Sequence, residues 1–297
     1  GLAKIGAVVV PLNWRLVADE LSYILKDSGA VAMIYGSDFA EVVATLQAGG
    51  GAVTDLVHWI EFCEPGHLPD AFAADYGEVV GQAAGEAPEI DSGDDDLFIM
   101  YTSGTTGRPK GALHTHNTMT WAIITFTTTT DIRYKDRYSI ALPLFHVGAL
   151  LPVMFTIYSG GTVVLLRQFE PRLMWEITEA EKITTSLAVP AMLNAMLMVP
   201  QFADYDVSNL RSILSGASPV PVRLIEKYQE IGIEIHQAYG LTESGGRVPC
   251  SVPTRPWSGS ARRARAFFIP PSAWWTKTAT IPCRGNRGNC WSRPPMS

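Results

Sequence analysis

The chain has 297 residues, of which 47% are hydrophobic and 18% charged, a balance that supports a substantial core and excludes a disordered chain. Its 23 basic and 29 acidic residues give a net charge of −6, which argues against a nucleic-acid-binding surface. The four cysteines, Cys63, Cys250, Cys283 and Cys290, show no paired spacing, so neither a disulfide framework nor a zinc site is expected, and a reducing, cytoplasmic compartment is.

The chain begins with Gly1 rather than methionine, and the apolar run at 6–12 reads as a strand entering midway through a fold, so a fragment is expected. Residues 19–27 place Leu21, Ile24 and Leu25 on one helical face that ends near Gly29. A strand at 31–35, a helix at 39–46 and a strand at 53–60 follow. Residues 82–96 are poor in large apolar side chains and acidic at their end, the composition of a solvated linker.

An apolar run, 97–101, then reads as a buried strand, and a helix is expected around Trp121, Ile123 and Ile124, closed by threonines at 127–130. The apolar stretch 149–166 is interrupted by Pro152 and by Ser159-Gly160-Gly161, which reads as helix, turn and buried strand rather than a membrane span. Strands at 138–142, 162–166, 183–189, 211–214 and 233–238 alternate with helices at 171–180, 191–198 and 221–229. This alternation predicts an α/β fold of layered, mostly parallel sheets covered by helices. Ligands of such sheets sit beyond the carboxyl ends of the strands.

Four stretches fall at such ends. In Tyr101-Thr-Ser-Gly-Thr-Thr-Gly-Arg-Pro-Lys-Gly111, three glycines and four Ser/Thr hydroxyls accompany one lysine. Glycines bring backbone N–H groups against a ligand, and Lys110 adds positive charge, a combination suited to a polyphosphate. Arg108 and Pro109 separate it from the common P-loop pattern, and composition alone equally allows a surface connection. Ser215-Gly-Ala-Ser-Pro219 is a small-residue turn that either lets a flat ring lie on the backbone or simply joins strand to helix. In the segment from Tyr239 to Ser244, Tyr239 can stack on a base, Thr242 can donate to phosphate and Glu243 can hold a hard cation through oxygen. His146, after Pro143-Leu-Phe, is a packed histidine or a functional one, as are His114 and His116.

In this order, these stretches resemble the signatures of the adenylate-forming (AMP-binding) superfamily over residues 1–248. Asn13-Trp-Arg15 resembles its acyl-CoA synthetase branch. The resemblance implies the large N-terminal domain of that fold. It also implies ATP-dependent activation of a fatty or aromatic acid to an acyl-adenylate, then thioester formation with coenzyme A. Thr102, Ser103, Gly104, Thr105, Thr106, Gly107 and Lys110 would hold phosphates. Gly216, Ala217 and Ser218 would contact adenine, on which Tyr239, next to Gly240, would stack. Thr242 would meet the α-phosphate, Glu243 would bind Mg2+, and His146 would line the acyl pocket. Lys110, Thr242, Glu243 and His146 carry the implied chemistry. The implied partners are small molecules, namely the carboxylic acid, ATP and coenzyme A, with no nucleic acid and no transmembrane segment.

The family's ribose-binding aspartate, its hinge and its small domain with a catalytic lysine have no counterpart in this sequence. A binding remnant without turnover is therefore one alternative, and an adenylation domain loading a carrier protein is another. The first domain is expected at 1–249 and an aberrant tail at 250–297. From Cys250 onward there are eight basic residues and no Asp or Glu, leaving 15 basic and 29 acidic before it. With one choice of codons, and read one base earlier, the stretch Trp274-Trp-Thr-Lys-Thr-Ala-Thr280 gives VVDEDGN, which resembles a family hairpin. An out-of-frame tail beginning near Val248 is the reading this supports.

Overall fold

The computed structural model describes residues 1–82, 85, 95–102 and 107–246. Ser103, Gly104, Thr105 and Thr106, most of the expected linker and the whole tail from residue 250 lie outside the described residues.

Helix α1 (Ala18–Ser28) forms where Leu21, Ile24 and Leu25 recur at helical spacing, and all three are buried. It stops at Gly29, whose φ of 65° is the left-handed cap that glycine adopts without strain. Then come β1 (Ala32–Gly36), α2 (Ala40–Gly49), β2 (His58–Phe62), β3 (Ala74–Asp75) and α3 (Tyr76–Gly81). The three strands pair in parallel in the order β1-β2-β3. Leu21 and Leu25 of α1 and Val43 and Leu46 of α2 pack with Met33 and Tyr35 of β1 in one core.

Two strand expectations need correction here. The strand expected at 6–12 reduces to a single parallel bridge between Val9 and Phe98, because Pro11 has no N–H with which to continue the ladder. The strand expected from residue 53 starts at His58, since Gly50–Ala52 close a 3-10 turn. The buried strand expected at 97–101 is present as β4 (Asp96–Thr102), which besides the Val9 bridge pairs with β5 (Lys110–Thr115) in an antiparallel hairpin.

The next helix, α4 (His116–Thr129), starts at a Thr115 cap whose hydroxyl accepts from the Thr118 N–H at 3.1 Å. It ends in the threonine run, where Thr128, Thr129 and Thr130 each turn a hydroxyl back onto a carbonyl one turn earlier. After it come β6 (Arg137–Ile140), α5 (Val147–Tyr158), β7 (Thr162–Leu165), α6 (Pro171–Ala180), β8 (Thr185–Leu187), α7 (Pro190–Leu197), β9 (Ser212–Ser215), α8 (Val222–Glu230) and β10 (Glu234–Gln237). The five strands are all parallel, in the order β10-β9-β8-β6-β7.

Helices cover both faces of this sheet. On one face, Phe98 and Met100 of the hairpin, Met119 and Phe126 of α4 and Phe155 of α5 pack on Tyr138 and Ile140. On the other, Trp175, Leu193, Leu224 and Tyr228 pack on Ile213 and Ile235. Trp175 is fully buried and its indole donates to the Met196 carbonyl at 2.8 Å; truncating such a side chain costs about 3–5 kcal/mol. β7, expected to be buried, is an edge strand with Leu165 54% exposed. Among the described residues no helix is long and apolar enough to cross a membrane.

Candidate nucleotide site

The hairpin sets the first part of the site. Lys110 is the first residue of β5 and pairs across the ladder with Thr102, the last residue of β4. The turn between them returns through Gly107, whose φ of 95° is a conformation that residues with a Cβ avoid. Gly111 has a packing reason to be glycine: a Cβ there would stand 2.6 Å from Cγ2 of Ile99 and 3.2 Å from the Tyr101 ring.

The second part follows β9. A Cβ on Gly216 would stand 2.8 Å from the carbonyl oxygen of Ala238, the residue just after β10. Ala217 has a φ of 67° and is exposed, as is Ser218. Two hydrogen bonds join this turn to the next segment. Ala238 N–H donates to the Ser215 carbonyl at 2.7 Å, and Val220 N–H donates to Gln237 Oε1 at 2.9 Å. The small residues at 215–218 are thus explained in part by close backbone approach.

The third part begins with Tyr239, 64% exposed, and closes as a tight turn. Thr242, Glu243 and Ser244 form one 3-10 turn capped by left-handed Gly245. Gly246 N–H donates to the Leu241 carbonyl at 3.0 Å, and a Cβ on Gly240 would meet the Gly246 carbonyl oxygen at 2.8 Å. The 242–244 turn contacts β5. Gly245 lies against His114, Met119 and Ala122, while Gly246 lies against Val147 and Leu151. Glu243 is exposed.

His146 precedes α5 at the N-cap position, with extended φ and ψ of −95° and 133° and no side-chain capping bond. Serine, threonine, asparagine or aspartate would be favoured there. Its ring meets that of Phe145 at 4.3 Å. His146 is exposed on one side, but the protein against the rest of its imidazole disfavours the charged form and the positive charge of Arg15 adds to this, so its pKa lies below the ordinary histidine value. His114, by contrast, is buried beneath Gly245.

The fold therefore joins the 215–218 turn to residues 237–238, and seats the 239–246 segment between β5 and the start of α5. Lys110, Thr102, Gly216, Ala217, Ser218, Tyr239, Gly240, Thr242, Glu243 and His146 belong to these adjoining segments. A cleft of about 830 Å3 lies elsewhere, between residues 7–14 and β1, and none of these residues lines it. Sequence reasoning missed Gln237, which fastens the second turn, and the influence of Arg15 on His146.

Comparison with known proteins bears on this geometry. The model of the AMP-binding enzyme family matches residues 1–266. The chain is 41% identical over 271 residues to the long-chain-fatty-acid–CoA ligase FadD13 of Mycobacterium tuberculosis, a match covering 90% of this chain and 52% of that protein. It is 38% identical over 245 residues to a feruloyl-CoA synthase from Amycolatopsis, covering 82% of this chain and 46% of that one. The inhibitor-bound crystal structure of the N-terminal domain of FACL13 from Mycobacterium tuberculosis superposes with a TM-score of 0.77 at 40% identity, over 84% of this chain and 61% of that one. The chain spans about half the length of these curated relatives. By the family match and these identities, it belongs to the AMP-binding enzymes.

Proposed function

We propose that the whole protein activates a fatty or aromatic carboxylic acid with ATP and transfers the acyl group to coenzyme A. The observation that carries this reading is that the 242–244 turn contacts the strand begun by Lys110 and that the Gly216 turn packs on Ala238 just before it, the three stretches being those that resemble family signatures. The printed names of the relatives, a long-chain-fatty-acid–CoA ligase and a feruloyl-CoA synthase, support the substrate class.

In the first step, a carboxylate oxygen attacks the α-phosphorus of ATP and the bond to the β-phosphate oxygen breaks, releasing pyrophosphate. Negative charge grows on phosphate oxygens, and fixed N–H groups together with Lys110 stabilise it. Thr102 and Gly107 flank the turn of the β4–β5 hairpin, and the resemblance to the family signature gives phosphate binding to them and to Ser103, Gly104, Thr105 and Thr106. Gly216, Ala217 and Ser218 bring backbone to the adenine, Tyr239 supplies an aromatic face beside Gly240, and Thr242 donates to the α-phosphate. In the second step, the coenzyme A thiolate attacks the acyl carbonyl and AMP leaves with its electron pair.

Magnesium fits this arrangement. Glu243 offers an exposed carboxylate, a hard oxygen donor of the kind that takes Mg2+ together with substrate phosphates. When bound, it neutralises phosphate charge, and Glu243 would hold it. His146, with its lowered pKa, presents a neutral ring to the acyl group among Phe145, Val147 and Leu150. A cytoplasmic setting belongs to the same reading, from the unpaired cysteine spacing.

Pyrophosphate exchange with fatty, aromatic and amino acids on the whole gene product tests this reading. Exchange with fatty or aromatic acids supports it. Exchange with amino acids favours carrier-protein loading, and ATP binding without exchange favours a non-catalytic remnant. The division at residues 249 and 250, with an out-of-frame tail, is a separate proposal. An uninterrupted reading frame on resequencing would contradict it.

A further inference from the structure

Helix α1 lies far from the signature segments in sequence, yet it touches both shoulders of the first one. The hydroxyl of Tyr101, at the entry to the 101–111 hairpin, donates to Asp27 Oδ2 at 2.7 Å. At its exit, the guanidinium of Arg108 lies over the Tyr23 ring, 5.2 Å from the centroid. Tyr23 and Asp27 are four residues apart, so they project from one face of α1. Between the two anchors lies the Thr102–Lys110 pair, and the Tyr101 ring lies over Gly111, where a side chain would collide with it.

The two contacts have distinct physics. A hydroxyl donating to a carboxylate is a charge-assisted bond with a defined direction. Burial of Tyr101, with the Asp27 carboxylate beside it, pushes the phenol pKa well up, so the hydroxyl remains a donor at all physiological pH. The arginine over an aromatic face is tolerant of small rotations. One directional and one rotation-tolerant contact thus hold Tyr101 and Arg108 against α1. Neither Tyr23 nor Asp27 belongs to the stretches that resemble family signatures.

We infer that Tyr23 and Asp27 are positioning residues: α1 anchors both ends of the signature hairpin and so sets where Lys110 stands for the nucleotide phosphates. This rests on the nucleotide reading above. The helix acts through Tyr101 and Arg108, with no contact of its own to substrate.

The test uses the full 297-residue chain with Asp27→Ala, Asp27→Asn, Tyr23→Leu, Tyr101→Phe and the Asp27→Ala/Tyr101→Phe double variant. Three quantities are read: tryptic cleavage after Lys110 in the native state, Mg·ATP affinity by calorimetry, and melting temperature. Asp27→Ala is expected to speed cleavage and weaken Mg·ATP binding about threefold to tenfold, and Tyr23→Leu about twofold to fivefold, at nearly unchanged melting temperature. Asp27→Asn keeps an acceptor oxygen and should fall between Asp27→Ala and the parent. The double variant should be no worse than either of its singles, since both remove one bond. Cleavage and affinity at parental values in Asp27→Ala and Tyr23→Leu would overturn the inference, as would losses that track a lowered melting temperature. Faster cleavage in the variants, with no Mg·ATP binding even in the parent chain, would keep the anchor and reject the nucleotide reading.

Discussion

Gly216 and Ala238 stand so close that one added carbon on the glycine would lie 2.8 Å from the alanine carbonyl oxygen. This approach locks the turn after β9 to the segment after β10, joining two residues 22 positions apart in sequence. Both partners at the contact are backbone-limited, so neither can swing aside as a flexible side chain would. Gly216→Ala is therefore expected to destabilise the protein by about 1–3 kcal/mol, as overpacking does. Urea denaturation measures it; an unchanged midpoint would mean the two turns can separate freely.

Ala217, the next residue, carries a φ of 67°. An L-residue pays about 1–2 kcal/mol for that conformation, whereas glycine pays about 0.5–1 kcal/mol in unfolded-state entropy. Ala217→Gly should thus stabilise the chain by up to about 1 kcal/mol. Ala217→Val, with its branched Cβ, should destabilise it. Thermal melts of the pair check the sign, and the reverse order would contradict a left-handed residue here.

His146 makes a prediction in pH. Burial, with the charge of Arg15, lowers its pKa from 6.5. The unfolded chain therefore binds this proton more readily than the folded one. Stability from this group is fully present above about pH 6.5 and is lost as pH falls through the lowered folded value, below which the slope vanishes. His146→Gln should flatten that part of the stability–pH curve. In an NMR titration the His146 midpoint should lie below 6.5 and rise in Arg15→Ala. Identical curves for parent and His146→Gln would contradict the assignment.

Local signals made much of the fold legible. The helix at 171–180 was read with its observed bounds because Pro171 opens it, and Glu170 in fact accepts the N–H groups of Arg172 and Leu173 at its start. α1 was legible from Leu21, Ile24 and Leu25. By contrast β5, Lys-Gly-Ala-Leu-His-Thr, has little apolar periodicity, and its strand character comes from antiparallel pairing with β4, which no short window reveals. β7 read as buried because its residues are apolar, but edge position is a property of strand order. In the site, the glycines and Lys110 stood out by composition. The partners that fix them, Gln237, Asp27 and Tyr23, did not, because an isolated polar residue on a helix or strand end looks like any solvated one.

The most direct test of the central claim is calorimetric titration of Mg·ATP into the 297-residue chain and its Lys110→Ala and Glu243→Ala variants. If Lys110, the Gly216 turn and the Thr242–Ser244 turn form one nucleotide site, the parent chain binds one Mg·ATP saturably and each variant binds about tenfold to a hundredfold more weakly, as for loss of one interaction with a charged group. Equal affinity in all three proteins, or no binding by the parent chain, would contradict it.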